Sequence, residues 1–127
     1  SMVVLRHGVL GFSWALLIFS WSALAGSQFE DSTYPHADKV LHAILYGVLF
    51  LLLLVGMIKQ KAFEWIRDKV KLKVFLIVLL YGIILELLQG YVFQGRSIEP
   101  LDIAANLVGI GFGFVTFLLI YGTEKYT

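Results

Sequence analysis

The sequence contains no cysteine, only two prolines and few charged residues for its length. Without cysteine the chain has no disulfide, no thiolate metal site and no cysteine nucleophile. Asp, Glu, Lys and Arg make up 15% of the 127 residues, and the formal net charge is +1. So small a net charge gives no reason to expect nucleic acid as a partner. Any electrostatic role must depend on where the charges lie along the chain.

Hydrophobic residues take the place of the missing charge. They make up 59% of the sequence, and the mean hydropathy is +0.84, values typical of membrane proteins rather than soluble globular chains. A helix needs about 20 apolar residues to cross the hydrocarbon layer. Four windows meet this requirement, at about residues 8–25, 39–58, 74–93 and 102–122. We therefore predict an all-α fold, a single domain over residues 1–127 that forms a bundle of four transmembrane helices.

The first window has a second interpretation. Arg6 and His7 precede an apolar stretch that ends in Ala23-Leu24-Ala25, the pattern of a secretory signal with its cleavage site. We favour a retained helix, because a fourth helix gives the other three something to pack against. Cleavage of this segment stays an open alternative.

The distribution of Lys and Arg predicts the orientation of the bundle, because cytoplasmic loops carry an excess of these residues. Only Lys39 and Arg96 fall on one side of the predicted bundle. The cations of the other side are Arg6, Lys59, Lys61, Arg67, Lys69, Lys71, Lys73 and Lys125. We therefore expect both termini in the cytoplasm, and the loops 26–38 and 94–101 on the outer face.

The loop between the second and third windows has apolar residues at helical spacing. Phe63, Ile66 and Val70 fall at i, i+3 and i+7, and Trp65 lies beside them. This pattern is typical of a short basic amphipathic helix in the membrane interface, with its cations at anionic headgroups. The alternative is a solvated basic loop that only fixes the topology.

Residues that are costly in a membrane gather at the predicted outer end. On the second helix, Asp38, His42 and Tyr46 fall at i, i+4 and i+8 and share one face. On the third helix, Glu86 and Gln89 are i and i+3 neighbours. The full set of candidate ligand-binding residues is Asp38, Lys39, His42, Tyr46, Glu86, Gln89, Arg96, Asp102 and Asn106.

The fourth helix carries a stripe that is polar at its outer end and small further in. Asp102, Asn106, Gly109 and Gly113 lie on this face. Glycines at such spacing let helix backbones approach closely, so we assign Gly109-x-Gly111-x-Gly113 to helix packing rather than to ligand binding.

Glu86 is the most informative of the polar residues. It would lie on the order of 10 Å below the outer end of its helix. An acidic side chain at the bilayer centre costs about 2.5–3.5 kcal/mol, so we expect Glu86 to face the bundle interior. Its candidate partners are Arg96, Lys39, His42 and Asn106. A structural network that fixes helix register is the alternative to a functional site.

These residues resemble those of a known family. D38-K-V-L-H42 with Tyr46, then E86-x-x-Q89, Arg96 and D102-x-x-x-N106-x-x-G109 resemble the VanZ-like family of small bacterial membrane proteins. The resemblance covers about residues 38–113. It implies a four-helix protein of the bacterial cytoplasmic membrane and an association with low-level resistance to the glycopeptide teicoplanin. The family has no settled biochemical activity, so the resemblance implies no mechanism.

Three functions fit the polar residues. The first is binding of a lipid-linked cell-envelope precursor or another lipid headgroup at the outer leaflet, with cations on phosphate. The second is an intramembrane enzyme in which His42, Glu86 and Asp38 act in proton transfer. A metal site on His42, Glu86 and Asp102 is a weak variant of this hypothesis, and we predict no metal and no cofactor. The third is a structural or partner-binding protein. A homodimer is left open.

Overall fold

In a computed structural model of the chain, the structure describes residues 2–24, 37–60, 63–91 and 100–122. Within these ranges all regular secondary structure is helical. Four long helices and one short helix follow one another: α1 (Met2–Leu24), α2 (Ala37–Lys59), α3 (Glu64–Arg67), α4 (Val70–Tyr91) and α5 (Pro100–Tyr121). The prediction of an all-α fold with four long helices is confirmed.

The ends of the helices differ from the predicted windows by a few residues. α1 begins at Met2, six residues before the predicted start at Gly8. α5 begins at Pro100. Proline is well suited to this position, because the N–H it lacks would have no partner within the helix. The helix ends before Gly122, whose φ of 77° is a left-handed conformation that glycine adopts without strain.

The loop between α2 and α4 contains the short helix α3, a helix being one of the two alternatives given above, but Val70 does not belong to it. Val70 is fully buried and is the first residue of α4, which starts four residues before the predicted Val74. Phe63 and Trp65 are exposed, while the side chain of Ile66 lies outside the described residues. The prediction that Val70 belongs to the apolar face of this short helix is therefore wrong, because its side chain packs in the core.

Two of the helices are long and apolar enough to cross a membrane. They are Lys39–Lys59 and Pro100–Tyr121, and Gly8–Ala23 forms a shorter apolar helix. The outward faces of the four long helices expose large apolar side chains, for example Phe12, Val40, Leu80 and Phe112.

α2 and α5 form the closest helix pair, and four small residues bring their backbones together. A Cβ added to Gly47 would lie 2.6 Å from the carbonyl oxygen of Gly109, and one added to Gly113 would lie 2.6 Å from that of Gly47. A Cβ added to Gly109 would collide with the carbonyl oxygen of Ala43. We call Ala43, Gly47, Gly109 and Gly113 the small-residue seam. Gly111 is not part of it, since a Cβ there would meet nothing within 4 Å.

The other two long helices run opposite to this pair. Trp14 of α1 donates from Nε1 to the carbonyl oxygen of Leu45 at 2.9 Å, and Trp21 further along contacts His42. α1 therefore runs antiparallel to α2. Lys71 near the start of α4 lies over the ring of Phe117, close to the end of α5, so α4 is antiparallel to α5.

This arrangement gathers the end of α1 and the beginnings of α2 and α5 at one end of the bundle. From there an apolar core drawn from all four long helices extends through the bundle, and it includes Ile18, Leu49, Leu54, Val74, Val78, Ile110 and Phe117. Where the chain turns from α2 to α3, buried Gln60 donates from Nε2 to the carbonyl oxygens of Met57 and Phe63. The bond to Met57 serves a carbonyl group in the last turn of α2, where intrahelical partners are missing, and the bond to Phe63 ties the turn to the start of α3.

Candidate functional site

An ion pair joins the first turns of α2 and α5. Lys39 Nζ donates to Asp102 Oδ1 at 2.6 Å. The Asp102 side chain is 2% exposed and the Lys39 side chain is 24% exposed, so the carboxylate is enclosed while the ammonium reaches the surface. Asp102 also lies in the first turn of its helix, where the helix dipole favours a negative charge. The Lys39 ammonium is therefore partly accessible at the surface, while the Asp102 carboxylate that binds it is buried.

His42 lies one turn further into the bundle and contacts two residues of α5. Its Nδ1 is 2.9 Å from Asn106 Oδ1, and its Nε2 is 3.7 Å from Asp102 Oδ2. All three side chains are almost fully buried. The spacing of four residues between Asp102 and Asn106 puts both on the face of α5 that meets His42.

Aromatic rings enclose the imidazole of His42. The Trp21 ring meets it edge-on, with ring centroids 5.2 Å apart, and the Tyr46 ring stacks nearly parallel to it at 6.1 Å. Tyr46 in turn contacts the ring of Tyr81, whose hydroxyl donates to the carbonyl oxygen of Ala15. The His42 side chain of α2 is thus packed between α1 and α5.

The amide of Asn106 reaches across to α4. A Cβ added to Gly82 would lie 2.7 Å from Asn106 Nδ2 and 3.1 Å from Tyr46, so glycine leaves the space that the amide fills. Glu86 lies one helical turn further along on the same face of α4, and it is buried, as predicted. We call Lys39, His42, Glu86, Asp102 and Asn106 the polar cluster.

The remaining predicted residues have different outcomes. Tyr46 is buried beside His42, so the expected shared face of these two residues is confirmed. Asp38 and Gln89 lie on α2 and α4, but their side chains lie outside the described residues, as does the whole of Arg96. Their predicted places in the site stay predictions. Within the described part of the chain, no group of three or more His, Asp or Glu is arranged to hold a metal ion.

Several residues around the site were not predicted from the sequence. Gly82 stands four residues before Glu86, and this spacing could have placed it on the polar face of α4. Ala43 and Gly47 form a small-x-x-x-small pattern on α2, which matches the one recognised on α5. For Trp21 the sequence carried no such signal, because its contact with His42 depends on how α1 packs.

The polar cluster can hold charge and orient hydrogen bonds at one end of the bundle. Its one partly exposed ionic group is Lys39, and an ammonium has three N–H donors, so it can bind Asp102 and an incoming oxygen together. Comparison with known protein families, known proteins and solved structures finds no match to this chain.

Proposed function

We propose that this protein is a four-span membrane protein whose polar cluster binds the phosphate of an anionic lipid headgroup at the outer leaflet. The lipid is a lipid-linked cell-envelope precursor or a phospholipid, and both classes offer phosphate oxygens to Lys39. The proposed location is the bacterial cytoplasmic membrane, in line with the resemblance to the VanZ-like family.

A membrane location is supported by the distribution of polar and apolar surface. Two helices pass the length and hydropathy requirements for a span, and all four long helices expose apolar side chains. Exposed apolar surface of this extent is typical of a lipid or protein contact rather than of contact with water. The buried side chains of the polar cluster complete the pattern, because polar residues in membrane proteins face the bundle interior.

The proposed orientation is supported by the positions of the cations. Lys59 ends α2, and the stretch from the end of α3 to the first turn of α4 carries Arg67, Lys69, Lys71 and Lys73. All of these residues are at the end of the bundle opposite Lys39 and Asp102. Under the positive-inside rule that end faces the cytoplasm, which puts the polar cluster on the outer side.

One observation carries the choice of ligand, namely the ion pair in which Asp102 is enclosed and Lys39 is partly exposed. A lysine at this depth can extend its ammonium to the level of the headgroups while its stem stays in the apolar layer. A phosphate there would gain a charge-assisted hydrogen bond. We expect Arg96 to add a second cation, and Asp38 and Gln89 to add polar contacts.

The alternative of an intramembrane enzyme has less support. His42 contacts a carboxylate and an amide, as a proton-transferring histidine would, but its ring is enclosed by Trp21 and Tyr46. A substrate would have to displace one of these rings to reach it. A purely structural cluster is the third alternative, and the experiment below distinguishes it from a binding site.

Native mass spectrometry of the full chain tests the proposal. The protein is released from membranes containing phosphatidylglycerol and phosphatidylcholine, and the lipids it retains are counted. We expect the wild type to retain phosphatidylglycerol preferentially. Lys39→Gln should reduce that preference about tenfold, as expected for the loss of one charge-assisted hydrogen bond.

Lys59→Gln is the matched control, because Lys59 lies at the other end of the same helix. The control should keep the preference of the wild type. Equal retention of the two lipids by the wild type, or an equal loss in the two variants, would contradict the proposed site and leave the structural alternative.

A further inference from the structure

An apolar groove runs along the outward side of the α2–α5 pair. Its volume is about 710 Å³, and the small-residue seam forms its floor. Val40 and Ile44 of α2 line one wall, and Val108 and Phe112 of α5 line the other. The groove exists because the two backbones touch at the seam while the larger side chains on either side stand out from it. Such a shape fits a long, thin apolar group.

The two ends of the groove differ in chemistry. Lys39 lines the outer end, next to the polar cluster, and it brings the only charge among the lining residues. Thr116 lines the inner end, but its hydroxyl donates to the carbonyl oxygen of Phe112 in its own helix at 2.8 Å. The inner end of the groove therefore offers its occupant a mainly apolar surface. An occupant should have a negative or polar head and an apolar tail.

The length of the groove sets the length of the tail. From Lys39 to Leu51 the lining covers about 18 Å along α2, at about 1.5 Å of rise per residue. One leaflet contributes about 15 Å, half of the hydrocarbon core. A groove that starts at headgroup level and ends near the bilayer centre matches one lipid hydrocarbon chain.

We infer that this groove binds one hydrocarbon chain of the anionic lipid whose phosphate binds at Lys39. The inference rests on the proposed function and adds the part of the ligand that the polar cluster does not recognise. A second copy of the chain fits the groove less well. A dimer related by a two-fold axis along the membrane normal would put the two Lys39 side chains at the same depth, facing each other.

Photolabelling of the full-length protein in vesicles tests this inference. The probe is phosphatidylglycerol with a diazirine on its acyl chain, diluted into phosphatidylcholine. We expect the label mainly on groove residues such as Val48 and Phe112. The exposed apolar faces of α1 and α4, represented by Leu16 and Leu80, should receive much less.

Two neighbouring alanines give a matched pair of variants. Ala105 lines the groove, whereas Ala104 is exposed on another face of the same helix. Ala105→Phe should lower groove labelling about tenfold, equivalent to about 1.4 kcal/mol of lost binding, while Ala104→Phe should not. Thr116→Phe fills the other end at an exposed position and should also lower the labelling, which guards against an Ala105 variant that fails to fold.

The outcomes separate this inference from the proposed headgroup site. If all exposed faces are labelled equally, or if labelling is unchanged in both the Ala105 and Thr116 variants, the groove does not bind the hydrocarbon chain. These two results leave the proposed headgroup site untouched. Crosslinks between two copies across the groove residues would also overturn the groove. If a phosphatidylcholine probe labels the groove as strongly as the phosphatidylglycerol probe, and Lys39→Gln changes neither, the groove stands and the headgroup site fails.

Discussion

The two halves of the α2–α5 interface are held together by different means. At the outer end, side chains meet: Lys39 with Asp102, and His42 with Asn106. Further in, backbones meet at the small-residue seam, where a single added carbon would collide with a carbonyl oxygen. The seam needs only small residues, and in the proposed membrane location van der Waals packing would drive the association of the two helices. The outer half depends on matched polar partners, Lys39 with Asp102 and His42 with Asn106.

The largest expected effect comes from the seam. Gly109→Leu should lower the free energy of unfolding by about 3 kcal/mol or more, the upper end for overpacking, because backbone and not a flexible side chain lies in the way. Thermal unfolding in detergent measures it. The control is Gly111→Leu, since the same side chain there meets open space. If both variants lose the same stability, close approach of the backbones is not what holds the inner half.

The ion pair should come second. Asp102→Asn removes the charge that faces Lys39 and His42, and we expect a loss of about 1–3 kcal/mol of stability. The partly exposed Lys39 can turn outward, which limits the cost. Glu64→Gln serves as the control, because the Glu64 side chain that pairs with Arg67 is 77% exposed and loss of its charge should leave thermal unfolding unchanged. If the two variants lose the same stability, burial of Asp102 does not strengthen its ion pair with Lys39.

The contact between His42 and Asn106 should show a smaller coupling. A double-mutant cycle of His42→Phe and Asn106→Leu isolates it from the losses of each side chain alone. We expect about 0.6 kcal/mol, and not more than about 1.7, as found for hydrogen bonds between membrane helices. If the effects of the two substitutions are additive, the 2.9 Å contact between His42 and Asn106 does not stabilise the outer half of the interface.

The last expected effect comes from Gly111→Ala, and unlike the others it should be stabilising. Gly111 is exposed within α5 and nothing lies within 4 Å of an added Cβ. Alanine is favoured over glycine in a helix interior by about 0.8–1 kcal/mol. A modest rise in the thermal unfolding midpoint is expected, whereas a fall would contradict the open surroundings of Gly111.

The sequence predicted most of the helical framework. Apolar windows of spanning length located all four long helices, because length and composition alone decide where a chain can form such a helix. Exact ends were less predictable. Val70 stands between Lys69 and Lys71 and resembles part of the loop, yet it is buried in the core as the first residue of α4.

The site was predictable where it depended on spacing within one helix. Asp102 and Asn106 were placed on one face, and so were His42 and Tyr46, because helical periodicity fixes those relations. Which helix faces which could not be read from the sequence. The partner of Asp102 is Lys39, and the amide of Asn106 fills the space left by Gly82, and both contacts depend on how three helices pack.

The ion pair between α2 and α5 joins residues that are 63 positions apart in the chain. During synthesis at about 5–20 residues per second, Asp102 would emerge roughly 3–13 seconds after Lys39. In a membrane, α2 would spend that interval with an ammonium and an imidazole that still lack their partners from α5. The second helix would therefore have to wait near the interface or beside the insertion machinery. Its final depth would be reached only when α5 arrives, so α2 would complete its insertion together with the last helix.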